Sequence, residues 1–279
     1  MKVVILGQSP AVVAAIKKLR EEGGDFEITL VSTDGQLPYD RALFPEFIAR
    51  RIKEKELFCE AEDFYRDNNI ELVLDKTLSR VNFNRRRLFL ADKATLDYDA
   101  LLMSDSPENR LPEVKGVRRT GVFHLARLES VRKLVQYLPL TETVVVETES
   151  LNGIRTALAL KDAGKQVIVV SRGEVLLGGS LAPETSALLT KLLEARGLRL
   201  FLNNCLEDVL GDVEMKAVRF KSGKILAAEM AIFDDAAPDL RFLEESGLVL
   251  SGRIPVTANM QTSVPDVFAV DVMMEMASP

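Results

Sequence analysis

Gly7, Ser9 and Pro10 are the first residues whose types and spacing could do chemistry. They lie between an unbroken apolar run, residues 3–6, and a segment in which Val12, Ile16 and Leu19 repeat at helical spacing. A glycine that turns the backbone, a serine at the N-cap and a proline at the first helical position leave N–H groups free for an anion, and phosphate suits such a turn. In full form the turn reads G-x-G-x-x-G, each glycine clearing a side chain from the path of a pyrophosphate. Here the three positions are Gly7, Ser9 and Val12. The β-branched Val12 is expected to push the helix start away from its strand. An acid for ribose hydroxyls belongs at the end of the next strand, where Ser32 stands; Asp34, two residues on, substitutes only if its loop bends back.

The same pattern returns from Thr143: an apolar strand, a turn, a helix with Leu151, Ile154 and Leu158 on one face, and a second apolar strand at residues 167–170. The glycine positions of this second turn are Thr148, Ser150 and Gly153, so only the last glycine, which serves helix–strand packing, is kept. Glu149 lies between the first two. A carboxylate there repels pyrophosphate by roughly 1–4 kcal/mol at surface-like dielectric unless it turns outward to water. The second strand ends in Ser171 and Arg172, and an arginine there could suit a 2′-phosphate.

These turns need buried parallel strands to position them, and unalternated runs such as residues 3–6 and 144–146 predict such strands. The 279 residues, 47% apolar, suffice for two medium domains. A net charge of −6 argues against nucleic acid as a partner, and the one basic run, Asn84 to Arg87, reads as a solvated hairpin turn. No stretch has the length of a membrane span, and the chain enters a strand at once without a leader, so a cytoplasmic protein is expected. Cys59 and Cys205 are isolated and His124 is the single histidine, which leaves neither a metal site nor a nucleophile–base triad. Further on, a helix at residues 183–196 is predicted to turn Leu188, Leu189, Leu192 and Leu193 inward, and residues 217–222 with 226–233 to form a hairpin or sheet extension. The tail with Met273, Met274 and Met276 reads as a docking surface or a frayed end.

Taken together, GQSPAVVAA, LPYDRALFP, YDALLMSDS followed by LPEVKGV, the repeat at Thr143 and TSVPDVFAVDV resemble the pyridine nucleotide-disulfide oxidoreductase superfamily, in particular its ferredoxin reductase-like and nitrite reductase-like members. The resemblance runs from Lys2 to about Asp271. It implies an α/β protein of two Rossmann-like dinucleotide-binding domains: an FAD-type domain from residues 1–111 and 247–279, an inserted NAD(P)-type domain from 112–246, and no C-terminal interface domain. Carried over, the flavin site would be Gly7, Ser9, Pro10, Ser32, Arg41 and Asp271, and the NAD(P) turn would keep Gly153. Members have Ala-Thr-Gly where this chain has Ser104-Asp105-Ser106, a glycine segment where it has Asp234-Asp235, and Gly-Asp where it has Val270-Asp271.

The added carboxylates and lost glycines lead to the expectation of a member without cofactor chemistry. That member is a non-catalytic structural or interaction subunit of a redox system, with no bound cofactor or nicotinamide and a cleft filled by its own side chains. Its partner would be a protein of a redox complex or a second copy of the chain. The alternative is an FAD-dependent oxidoreductase that holds flavin through altered contacts and exchanges electrons with a protein partner. A third reading is a binding module for another small molecule where FAD would lie.

Overall fold

The computed structural model describes residues 1–104, 112–177, 180–234, 240–248, 250 and 252–276; Asp105, Ser106 and Asp235 of the sequence reading lie outside them. The chain forms two compact units. Met1–Asp40, Lys55–Glu108 and Ala237–Pro279 make the first, Arg41–Glu54 and Asn109–Ala236 the second.

In the first unit β1 (Lys2–Leu6) is buried from Val3 onward and runs into α1 (Pro10–Glu21), capped by Ser9, whose hydroxyl accepts from the Ala11 N–H. Val12, Val13 and Ile16 are buried in a cluster with Val3, Ile5, Ile28 and Leu30, so Val12 is taken into the core. β2 (Glu27–Ser32) pairs in parallel with β1. A short helix, α2 (Phe44–Ile48), falls in the second unit, with Phe44 and Ile48 buried. Residues 41–54, expected in the FAD-type domain, therefore group with the later domain. α3 (Glu62–Asp67) leads to β3 (Ile70–Leu74), which pairs with β2. β4 (Leu78–Asn82), β5 (Arg87–Leu90) and β6 (Thr95–Asp97) form an antiparallel sheet, and β7 (Ala100–Met103) pairs in parallel with β1. The basic run is the β4–β5 turn, with Arg86 paired to Asp266 at 2.6 Å and Arg87 to Asp97 at 2.5 Å.

The second unit starts its sheet with β8 (Val122–His124), followed by α4 (Leu128–Tyr137), β9 (Thr143–Thr148), α5 (Leu151–Asp162) and β10 (Gln166–Val170). α2 packs on α5, which is why it joins this unit. α6 (Pro183–Ala195) precedes β11 (Arg199–Phe201). Of the four leucines expected inward on α6 only Leu193 is buried; Leu188 and Leu192 are 58% and 55% exposed, because the strand this helix covers is three residues long and at the sheet edge. β12 (Leu206–Gly211), β13 (Met215–Phe220) and β14 (Ile225–Ala227) form an antiparallel sheet. The run 226–233 is not one strand. It breaks at Ala228 and Glu229, and β15 (Met230–Asp234) enters the main sheet, in the parallel order β11-β10-β9-β15-β8.

The chain then returns to the first unit with β16 (Ile254–Val256), β17 (Val267–Ala269) and β18 (Met274–Met276). β17 completes the order β17-β7-β1-β2-β3, while β18 pairs in parallel with β16. The methionine segment is thus a paired strand, preceded by the fully buried Met273 and ending in the 48% exposed Met276. Among the described residues no helix is long and apolar enough to cross a membrane. Cys59 packs on the α1 cluster, and burial pushes its thiol up to about 11, which makes it a poor nucleophile.

The packing of α6 can be checked directly. Leu193→Ala is expected to cost about 2–4 kcal/mol in urea unfolding, whereas Leu188→Ser with Leu192→Ser should change stability by less than about 1 kcal/mol. Equal losses in the two variants would show that α6 buries a wider face.

Candidate functional site

In the first unit the polar residues gather at the carboxyl ends of parallel strands, where open α/β sheets bind ligands. Gly7 ends β1 at φ +119°, a conformation that favours glycine, and its N–H bonds to Val31 O at 2.9 Å. Ser104 follows β7, and Asp271 follows β17, held beside it by the Val270 N–H bonded to Met103 O. The hydroxyls of Ser9 and Ser104 both donate to Asp271 Oδ2, from Ser104 at 2.8 Å, and the two hydroxyl oxygens lie 2.7 Å apart. Asp271 is exposed, with φ +57°, a left-handed conformation that costs a non-glycine residue about 1–3 kcal/mol. α1 has no acidic residue in its first turn, so Asp271 supplies the negative charge its N-terminus favours.

A second group forms at the end of β2. Gln8 Nε2 and the Tyr39 hydroxyl donate to Asp34 Oδ2 at 2.6 and 2.8 Å, and the Gln36 N–H to Oδ1 at 3.0 Å. The Ser32 hydroxyl lies 3.0 Å from Gln8 Oε1 and 3.1 Å from Asp34 Oδ1. Ser32 is fully buried, whereas Asp34 remains half-buried. The loop does bend back, and Asp34 lies beside Gln8 of the first turn together with Ser32. Sequence held one signal for this: Asp34 begins a tight Asp-Gly turn, whose side chain bonds backbone two residues on.

The second unit repeats the arrangement with a different outcome. Ser150 caps α5 and accepts the Gly153 N–H at 3.2 Å. Its hydroxyl donates to Asp234 Oδ2 at the end of β15, as does Thr148 Oγ1 at 3.2 Å. Unlike Asp271, Asp234 is 8% exposed. Burial pushes its carboxyl upward, opposed by the hydrogen bonds from Ser150, Thr148 and Gly153 and by the charge of Arg41. Arg41, expected at the flavin site, lies in the second unit. Glu149 is exposed, and its carboxylate also accepts from Ser171 Oγ at 3.0 Å and from the Arg172 N–H. The Arg172 guanidinium is engaged by buried Glu147 at 2.8 Å, whose other oxygen accepts the Leu206 N–H at 2.6 Å.

His124 stacks on Phe233 at 5.9 Å, and burial lowers its pKa. Among the described residues no cluster of three His, Cys, Asp or Glu could hold a metal ion. A cleft of about 470 Å³ lined by Lys2, Glu27, Thr29 and Glu71 lies at the amino ends of β1 and β2, opposite this chemistry.

Residues 1–276 match the family described as pyridine nucleotide-disulphide oxidoreductase. The chain is 26% identical to an NADH oxidase of Methanocaldococcus jannaschii, over 97% of its own length and 62% of that protein's. It is also 26% identical to a rubredoxin-NAD(+) reductase of Ectopseudomonas oleovorans, over 97% and 71%. The covalent putidaredoxin reductase–putidaredoxin complex shares the fold, with TM-score 0.89, 24% identity and coverage of 99% and 68%. The chain thus spans less than two thirds of the archaeal relative. The resemblance and the Rossmann-like fold class are borne out. The expectation of a non-catalytic subunit is overturned, since relatives matched over nearly the whole chain are named as oxidases and reductases. The expectation of no cofactor loses its support with it, as the family is named for a pyridine nucleotide. Its physical error was to treat the added carboxylates as unpaired charges, whereas Glu149 and Asp234, the two among the described residues, are both hydrogen-bonded.

The raised pKa of Asp234 has a consequence for stability. Between the ordinary carboxylate range and the raised value, the native state holds a proton that the unfolded chain has released, so stability is greatest below that interval and falls as pH rises through it. Asp234→Asn should flatten this fall in urea midpoints measured against pH; an unchanged slope would assign it to another group.

Proposed function

The chain belongs to the pyridine nucleotide-disulphide oxidoreductase family, and from this premise we propose that it is an FAD-dependent oxidoreductase that holds flavin in its first unit and exchanges electrons with a protein partner. The observation that carries the reading is the convergence of Gly7, Ser9, Ser104, Asp34 and Asp271 at the carboxyl edge of one parallel sheet. This donor set fits the group. The open backbone at Gly7 and the N-terminus of α1 suit a pyrophosphate, with Pro10 fixing the first helical turn. Asp34 has the acceptor oxygens for ribose hydroxyls, and exposed Asp271, oriented by Ser9 and Ser104, suits the ribityl–phosphate end. Ser32 acts through Asp34, which it helps to orient.

Bound flavin supplies the electron-accepting and electron-releasing chemistry. The chain supplies position: hydrogen bonds hold both carboxylates before any ligand arrives, so few side chains need reordering. The partner class is a redox protein, supported by a relative named as a rubredoxin reductase.

Purified protein, or protein reconstituted with excess FAD, should show stoichiometric flavin by visible absorption. Asp34→Ala and Asp271→Ala should each weaken FAD binding about tenfold or more, equivalent to about 1.4 kcal/mol. Failure of the folded wild type to take up any FAD would overturn the reading.

A further inference from the structure

The family's name implies a second group, a pyridine nucleotide, and the β9–α5 turn, between parallel β9 and β10, is where its pyrophosphate would be held. The residues at this turn do not fit that group. Asp234 presses against the first turn of α5: its Oδ2 receives the hydroxyls of Ser150 and Thr148, and a Cβ built on Gly153 would lie 2.7 Å from that oxygen. On the other side Glu149 is bound to Ser171 and to the backbone of Arg172, at the end of β10 where a ribose would be read. α5 carries no acid in its own first turn, so Asp234 supplies the carboxyl group at that turn. A carboxylate and a pyrophosphate seek the same hydroxyls and N–H groups. Asp234 occupies them whether or not it is ionised, and when ionised it adds like-charge repulsion.

We infer that Asp234 competes with the pyrophosphate of NADH and NADPH for the first turn of α5 and so sets how weakly the second unit takes a dinucleotide. Asp271 in the first unit bonds a helix-capping serine in the same manner, yet it is exposed, while Asp234 is sealed beneath the turn. The inference rests on family membership and on this geometry, not on the flavin reading. Its readout is nucleotide binding, whereas the flavin reading is judged by visible absorption, so either can fail alone.

The experiment is calorimetric titration of NADH and of NADPH into the full-length wild type, Asp234→Asn and Asp234→Gly. Glu207→Gln, which removes an exposed carboxylate from β12, controls for net charge. Asp234→Asn removes charge and keeps size; Asp234→Gly also clears the space. At least one nucleotide should bind an Asp234 variant about tenfold or more tightly than the wild type, with the control unchanged. Circular dichroism identifies which variants fold, and if Asp234→Gly does not, Asp234→Asn carries the test. Equal affinity in the wild type and the folded variants, absence of binding in all of them, or an equal gain in Glu207→Gln would overturn the inference.

Discussion

A hydroxyl–carboxylate contact at the start of a helix organises both units. In each, a parallel strand runs into a helix whose N-terminus has unsatisfied N–H groups and a partial positive charge. Among the described residues α1 and α5 are the two α-helices that carry no acidic residue in the first turn; α2, α3, α4 and α6 each have at least one. The carboxyl groups at these two ends come from far along the chain, at Asp271 and Asp234, and reach the helix through the capping serine. Sheet topology makes this possible, because parallel pairing brings the carboxyl ends of β1, β7 and β17, and of β9 and β15, to one edge.

The fold was legible because its strongest signals are local. Residues 3–6 and 144–146 are apolar without alternation, which leaves burial on both faces as the stable outcome, and Ser9-Pro10 marks a helix start with little ambiguity. The misjudged elements depend on partners distant in sequence. Residues 226–233 have uniform β character, yet the strand changes sheets at Ala228, whose N–H bonds to Lys216 O, and Glu229, whose N–H bonds to Thr143 O. Leu188 and Leu192 share a helical stripe with Leu193, but a three-residue edge strand gives the stripe little to cover.

The site was legible in part for the same reason. Gly7 and Ser9 follow from spacing, since a β-turn-α unit fixes their places by itself. Asp34 was seen, but whether its loop folds back depends on Gln8 and Tyr39, whose side-chain directions no periodicity encodes. Asp234 was seen as a lost glycine; that its charge would be housed by Thr148 and Ser150 required knowing that β15 lies beside β9. Substitution at a glycine position measures a change in backbone freedom, and the chemistry of the site depends on how the new side chain is paired.

The segment that carries Asp271 has almost no slack. Two residues upstream β17 ends at Ala269, paired to β7; Met273 is sunk in the core; and β18 begins at once, paired to β16. The carboxylate therefore sits on a short link stapled at both ends, and moving it by even a few ångströms means unzipping a strand. The loss of conformational freedom needed to fix this group occurs when the chain folds rather than when a ligand arrives. A ligand held there is in turn linked to the whole unit, because local opening of β17 or β18 would release it; occupancy should slow hydrogen exchange in those strands before it changes exchange elsewhere.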